Sequence, residues 1–255
     1  MIIAVGGWRG PGATTLALAL ASVLAADGRD TWLVEADPAG GVLSGRLHLD
    51  ASVVGGLERV AFPADRMSSL ESLHTVAHAF GPLRLITAPV DPFRAHACHQ
   101  PRAPWLPALG ELGDVVVVDI GRVRASTIAW AVMALADAVV VVSSAEVAAA
   151  VSSSEWLHAA GRVSPSDPGL LDDVGRLCII DAPGGVTFPR STLLADLGEL
   201  CVGWVPWDPA AVDLLSRGAL TSDRGFRRGR FIPSIERVAS TLLRSAHRTA
   251  EEVTA

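Results

Sequence analysis

The sequence predicts an α/β fold, a single domain built on a mostly parallel, twisted sheet with helices on both faces. Three observations predict it. Short Val/Ile-rich runs alternate with longer Ala/Leu-rich stretches, the pattern of strands buried on both sides. The glycine-rich turn GGWRGPGATT, residues 6–15, joins the first such run directly to the first helical stretch. Two runs end in aspartate, Asp37 after TWLVEA and Asp119 after DVVVV, which places two carboxylates at the carboxyl edge of one sheet.

The first strand falls near 2–6, and TTLALALASVLAA at 14–26 begins with threonines and continues in strong helix formers, so a helix N-terminus follows the glycines directly. Further strands are expected near 31–36, 83–88, 115–119, 138–143, 176–181 and 201–205, each a β-branched or apolar run. Helices fit 125–136, 145–160, 190–197, 209–217 and 233–252. In the last of these Ile235, Val238, Leu242 and Leu243 share one face, the spacing of a helix packed on the body of the domain. The Pro-rich stretches 89–107 and 163–169 read as surface connections, and 223–231 as a basic linker before the final helix. Residues 1–255 therefore form one domain without internal repeats.

Composition bounds the function. With 255 residues, 50% hydrophobic and 19% charged, the chain can bury a large core. No apolar run approaches the roughly 18 residues of a membrane span, and the start lacks a basic region and a cleavage site, so a cytoplasmic location is expected. A net charge of -6 argues against a globally basic nucleic-acid binder. Cys98, Cys178 and Cys201 lack C-x-x-C spacing and read as reduced thiols. The chain has no lysine, so all 21 basic residues are arginine, a bias that fits GC-rich coding. A lysine needed for chemistry would survive such a bias, because arginine does not reproduce its compact charge.

Gly7, Gly12 and Thr14 stand where a phosphate-binding loop of the form G-x-x-x-x-G-K-S/T has them, but Ala13 holds the lysine position. In such a loop backbone N–H groups and the helix dipole hold phosphate, the lysine neutralises it, and the hydroxyl ligates magnesium. Gly7, Arg9, Gly10, Gly12, Ala13, Thr14 and Thr15 are the candidate nucleotide contacts. Ala13 supplies no charge and Pro11 no N–H. One lost charge-assisted contact costs about 1.5–3 kcal/mol, about ten- to a hundredfold in affinity, which binding survives more readily than fast hydrolysis does. Arg9 either restores the charge or is a solvated loop arginine, and the whole loop reads alternatively as a tight structural turn. Asp119 is the candidate for the magnesium shell at a strand end and Asp37 for the residue that senses or orients the reacting group. With Thr14 they form the expected metal site, and they are the catalytic pair if the chain is active.

The segments GPGATTLALALA, LVEADPAGG, VVVVDIGR, ADAVVVVSSAEVAAA and LCVGWVPWDPAAVDLLSRGAL together resemble the ParA/MinD superfamily of P-loop proteins over nearly the whole chain. LVEADPAGG is similar to the family's D-x-D-P segment and VVVVDIGR to its D-x-P-P segment. The last segment is similar to its late strand and turn, which implies that Pro206 and Asp208 lie on the adenine side. The form of the loop resembles the branch containing the CpaE and TadZ pilus-assembly proteins and the septum-site-determining proteins. The resemblance implies ATP and magnesium as cofactors, and a sandwich homodimer in which a second lysine reaches the partner's nucleotide. Trp8 occupies that lysine position, with Arg9 beside it, and Arg122 replaces a family proline.

The resulting expectation is a regulatory or positioning protein of cell division, pilus or secretion assembly, recruited by protein partners, with weak or absent ATP binding and hydrolysis. The alternative is an active magnesium-dependent ATPase using Arg9. A dinucleotide oxidoreductase fits poorly, since Thr15 stands where the third glycine of G-x-G-x-x-G belongs. His96, Cys98 and His99 match no zinc spacing and read as structural. Arg224, Arg227, Arg228 and Arg230 surround Phe226 as a patch that could meet nucleic acid or an anionic membrane, with a solvated linker the preferred reading. The tail HRTAEEVTA lacks the character of a membrane-targeting helix. Trp204 and Trp207 either line the base pocket or pack in the core.

Overall fold

Eight strands form one sheet in the computed structural model, which describes residues 1–9, 12–49, 56–62, 67–100, 102–123, 127–163, 171–181, 183, 189–219, 221 and 223–254. The chain runs β1 (Ile2–Arg9), α1 (Ala13–Ala26), β2 (Thr31–Glu35), α2 (Leu43–Arg46), α3 (Leu57–Ala61), α4 (Ser69–Thr75), β3 (His78–Phe80), β4 (Leu83–Ile86) and α5 (Pro92–Cys98). It continues through β5 (Val115–Arg122), α6 (Ile128–Met133), β6 (Ala138–Ser144), α7 (Val147–Val163), β7 (Gly175–Ile180), α8 (Arg190–Leu197), β8 (Cys201–Val205), α9 (Pro209–Ser216), α10 (Arg224–Arg227) and α11 (Phe231–Thr254).

The strand order is β3-β4-β2-β5-β1-β6-β7-β8, all parallel except the β3–β4 pair. β1 lies between β5 and β6, so the chain leaving β1 enters α1 at the middle of the sheet's carboxyl edge. Register aligns Val5 with Asp119 and Glu35 with Asp119, bringing these residues of three adjacent strands to one level. One face of the sheet is covered by α1 and α11 through Leu16, Leu20, Ile235 and Val238. The other is covered by α6 and α7 through Ile128, Val132 and Leu157. The small alanines of α1 let it sit closely between sheet and α11, and Ala17, Ala19 and Ala21 are fully buried. In α11 Ile235, Val238 and Leu242 are fully buried, as the helical spacing predicts.

Every predicted strand is present, and β3 is additional. It is a three-residue antiparallel edge strand entered before a turn at Gly81 (φ 58°), too short to show alternation. The short helices α2, α3 and α4 are likewise additional. The larger correction concerns 89–107, which is not merely a surface connection. Asp91 caps α5 by accepting from Phe93 N (2.8 Å), with Pro92 in the first turn, so the proline here starts a helix. Trp105 is fully buried, donating from Nε1 to the Cys98 carbonyl (3.2 Å), and a 3-10 helix, Leu106–Glu111, follows. Of the second stretch read as a connection, 164–169 lies outside the described residues. Residues 224–227 form a helical turn whose Phe226 is buried.

Burial of Trp105 is decisive for this region. Trp105→Ala is expected to cost about 3–5 kcal/mol and lower the melting temperature by about 10 °C, whereas Phe93→Ala, at an 85% exposed position nearby, leaves it within about 1 °C. Thermal melts followed by circular dichroism check both.

Candidate functional site

The site grows from the β1–α1 junction. Gly12 caps α1 with φ 107°, a conformation that favours glycine, and a Cβ there would lie 2.7 Å from Ile180 Cδ1. Its carbonyl accepts from Leu16 N (2.8 Å), which leaves the N–H groups of the first turn without acceptors in the helix. That turn carries no acidic side chain, so the helix end presents uncompensated positive potential. Ala13 is its first residue and is buried. Gly7 belongs to β1 and its carbonyl accepts from Val123 N (3.0 Å), so the strand runs past residue 6, the end expected from the sequence. Gly10, Pro11 and the Arg9 side chain lie outside the described residues.

A cavity of about 450 Å³ opens beside this helix end. Gly12 and Thr15 form one wall, Pro206, Trp207 and Asp208 another, and Phe231 contributes an apolar surface. Four of the predicted nucleotide contacts thus meet at one cavity. Asp208 accepts from Ala211 N (3.0 Å) and caps α9. Trp207 is 48% exposed and lines the cavity. Trp204 does not, because it packs on the opposite face of the sheet, donates from Nε1 to Asp181 and carries the Arg190 guanidinium 4.9 Å above its ring. Of the two readings open for these tryptophans, core packing holds for Trp204, and Trp207 alone lines the cavity.

Deeper along the sheet edge lies a group of acids. Asp119 is fully buried within β5, and Gly121 N donates to its Oδ1 (3.1 Å). Burial pushes its pKa up to about 7; the neighbouring Glu35 and Asp37 push in the same direction, against the Thr14 hydroxyl and the Gly121 N–H. Oδ2 is buried without a hydrogen-bond partner among the described residues. Asp37 packs over the Cα of Gly121 (φ 61°), where a Cβ would overlap its carboxylate, and accepts from Ala39 N (2.8 Å).

Glu35 is the polar residue that the motif reading passed over. Fully buried, it accepts from Val42 N (2.7 Å), Leu43 N (2.9 Å) and Ala88 N (3.0 Å), tying the start of α2 to the segment after β4. Burial nevertheless raises its pKa. An acidic residue ending the apolar run TWLV was the available signal.

These donors fit a hard divalent cation in part. Asp119 offers a buried oxygen without a partner, with the Thr14 hydroxyl and Asp37 close by. Among the described residues no three His, Cys, Asp or Glu side chains converge as a metal site. Magnesium would therefore be held by Asp119 and Thr14 only together with phosphate oxygens and water.

Trp8, at the position of the family's second lysine, stacks on Trp156 of α7 with ring centroids 5.3 Å apart and planes at 21°, and Trp130 joins at 6.0 Å. The side chain is thereby held by its own chain. Arg122 ends β5, exposed, in register with Gly7. His96 is exposed while Cys98 and His99 are buried; burial lowers the His99 pKa to about 4 and raises that of Cys98 to about 11. In the basic stretch Arg227 pairs with Glu236 (2.9 Å), Arg228 and Arg230 are exposed, and the Arg224 side chain lies outside the described residues.

A central parallel strand feeding a glycine-capped helix, with Asp119 on the adjoining β5 and Glu35 at the end of β2 beyond it, defines an α/β fold of the P-loop type. It is the fold of the MinD and ParA-family ATPases. The cell division ATPase MinD of Pyrococcus furiosus superposes with a TM-score of 0.74 at 17% identity, covering 95% of this chain and 98% of that one. A ParA family ATPase from Chlorobium tepidum gives 0.69 at 16%, covering 93% and 98%. The MinC:MinD cell division protein complex of Aquifex aeolicus gives 0.66 at 17%, covering 95% of each chain. No family model and no curated protein matches the sequence.

Asp119 makes stability depend on pH. It titrates near 3.8 in an ordinary environment and near 7 when folded, so the native chain binds the extra proton between those values. Its contribution is intact below the lower value and is lost as pH rises through the upper one. Asp119→Asn is therefore expected to melt at least about 3 °C above the parent at pH 8 without magnesium, with the difference shrinking toward pH 4. Paired melts across that range check it.

Proposed function

We propose that this chain is a MinD/ParA-like regulatory protein that binds an adenine nucleotide weakly, hydrolyses it slowly or not at all, and acts by docking to protein partners of a division, pilus or secretion machine. The observation that carries the reading is the cavity walled by Gly12 and Thr15 on one side and Pro206 and Trp207 on the other. It joins an apolar surface for a base to a helix N-terminus for phosphate. Ala13, buried where a lysine would neutralise the terminal phosphate, argues for weak affinity and against turnover. In this reading magnesium, held by Thr14, Asp119 and the phosphates, offsets phosphate charge, while Asp37 flanks the terminal phosphate.

Partner docking is supported by fold likeness to a chain that assembles with MinC. The Trp8 stack argues against a nucleotide-sandwich homodimer of the lysine-bridged kind. No described helix is long and apolar enough to cross a membrane, and recruitment to a membrane would proceed through partners.

Trp207, half-exposed in the cavity, provides the readout. Adding ADP is expected to change tryptophan emission saturably, with a Kd in the range of about 10 µM to 1 mM, and Trp207→Phe removes the change. A flat titration up to millimolar ADP rejects the nucleotide reading, and ATP turnover abolished by Arg9→Ala would favour the active ATPase instead. Ala13→Lys is expected to tighten ATP binding modestly, by about three- to tenfold, and Pro11→Val with Ala13→Lys to tighten it further, measured by calorimetry. Unchanged affinity in both variants, with unchanged melting, would make the loop a structural turn.

A further inference from the structure

Between the base cavity and the acids lies an arginine that no motif contains. Arg46 ends α2, and its side chain crosses from there to the β1–α1 junction. Nη1 donates to Thr15 Oγ1 (3.0 Å) and Nε to Ser216 Oγ (2.7 Å), and both of these residues line the cavity. Nη2 is buried and has no hydrogen-bond partner among the described residues. No carboxylate of a described residue lies within ion-pair reach of the guanidinium, yet it stands within the field of Asp119.

This arrangement is costly as it stands. A guanidinium carries five N–H donors and keeps its charge under all ordinary conditions. Here it is partly desolvated and, among the described residues, bonded to two neutral hydroxyls with one buried nitrogen left without an acceptor. A strut joining α1 to α9 could be built from uncharged side chains at less expense. Arg46 stands behind Thr15 and Ser216 and does not itself line the cavity, so an anion arriving beside Thr15 would draw the guanidinium toward it, accept from Nη2 and supply the missing counter-charge. The position also suits a nucleotide, since the base cavity lies on one side, Thr14 and Asp119 on the other, and the phosphate chain would run between them past Thr15.

We propose that Arg46 is the phosphate-binding cation of this protein, donating through Nη2 to a phosphate oxygen of the bound nucleotide beside Thr15 and replacing, from α2, the charge that Ala13 does not supply. The inference rests on the nucleotide reading of the cavity. Arg46 acts from the side of the phosphate chain rather than from the loop, which fits holding the inner phosphates better than catalysis at the outermost one. Glu35 positions it indirectly, by holding Val42 and Leu43 at the start of the same helix.

The test compares ADP with adenosine by calorimetry in EDTA, using the full chain. The parent should bind ADP at least tenfold more tightly than adenosine, with the ADP affinity falling as salt rises and the adenosine affinity indifferent to it. Arg46→Gln should lose about ten- to a hundredfold for ADP and almost nothing for adenosine, and Arg46→Lys should recover part of the loss. Equal losses for ADP and adenosine would reveal a strut that shapes the cavity, and no loss for ADP would leave Arg46 without a phosphate role; either result overturns the inference while sparing the nucleotide reading. If Arg46→Gln does not fold, the parent decides alone, since an ADP affinity no greater than that of adenosine overturns the inference. Should the parent bind neither compound, the nucleotide reading falls and this inference falls with it.

Discussion

The buried carboxylate of Asp119 is the constraint around which the carboxyl edge of the sheet is arranged. A charge there has no water to solvate it, so its neighbours must hold it neutral or compensate it. Gly121 turns with φ 61° and donates its N–H to Oδ1, and the same turn leaves room for Asp37 above it. Thr14 is held close by the geometry of α1, which in turn requires Gly12. Glu35, one strand over, adds a second buried acid at the same level and is satisfied by three backbone N–H groups.

An edge with three acids and no loop lysine is electrostatically unfinished. Fully ionised, Asp119 and Asp37 would repel a nucleotide's phosphates, and Coulomb energies at such separations are large enough to decide binding. The elevated pKa of Asp119 relieves part of this, and a divalent cation or the Arg46 guanidinium would relieve the rest. In the proposed reading, the strand-to-helix junction would position a phosphate chain while Ala13 leaves its end without the charge a lysine supplies, an arrangement that suits occupancy better than rapid turnover.

The Trp8–Trp156–Trp130 cluster places the second departure on physical ground. Stacked aromatic rings bury a large area and gain beyond it from their geometry, so the start of the loop is fastened to α7. The indole links the end of β1 to the face covered by α6 and α7.

The layout of this fold was legible in the sequence because its signals are local. Val-rich strands such as 115–119, the helix-forming run after Gly12, and the spacing of Ile235, Val238 and Leu242 each satisfy their own geometry before any tertiary contact forms. Gly12 and Thr15 could likewise be named in advance from the glycine-rich turn before the first helix, and Pro206 and Asp208 from the resemblance of their segment to the late strand and turn of ParA/MinD proteins. Tertiary structure decided the rest. Trp105 looked like part of a proline-rich connection, and its burial depends on the distant groups that cover it. Trp204 and Trp207 are three residues apart at the end of one strand, and only the assembled layers put one in the core and the other in the cavity. Arg46 sits 31 residues from Thr15 and 170 from Ser216, with no periodic or motif signature, so its guanidinium became meaningful only when the sheet brought α1, α2 and α9 together.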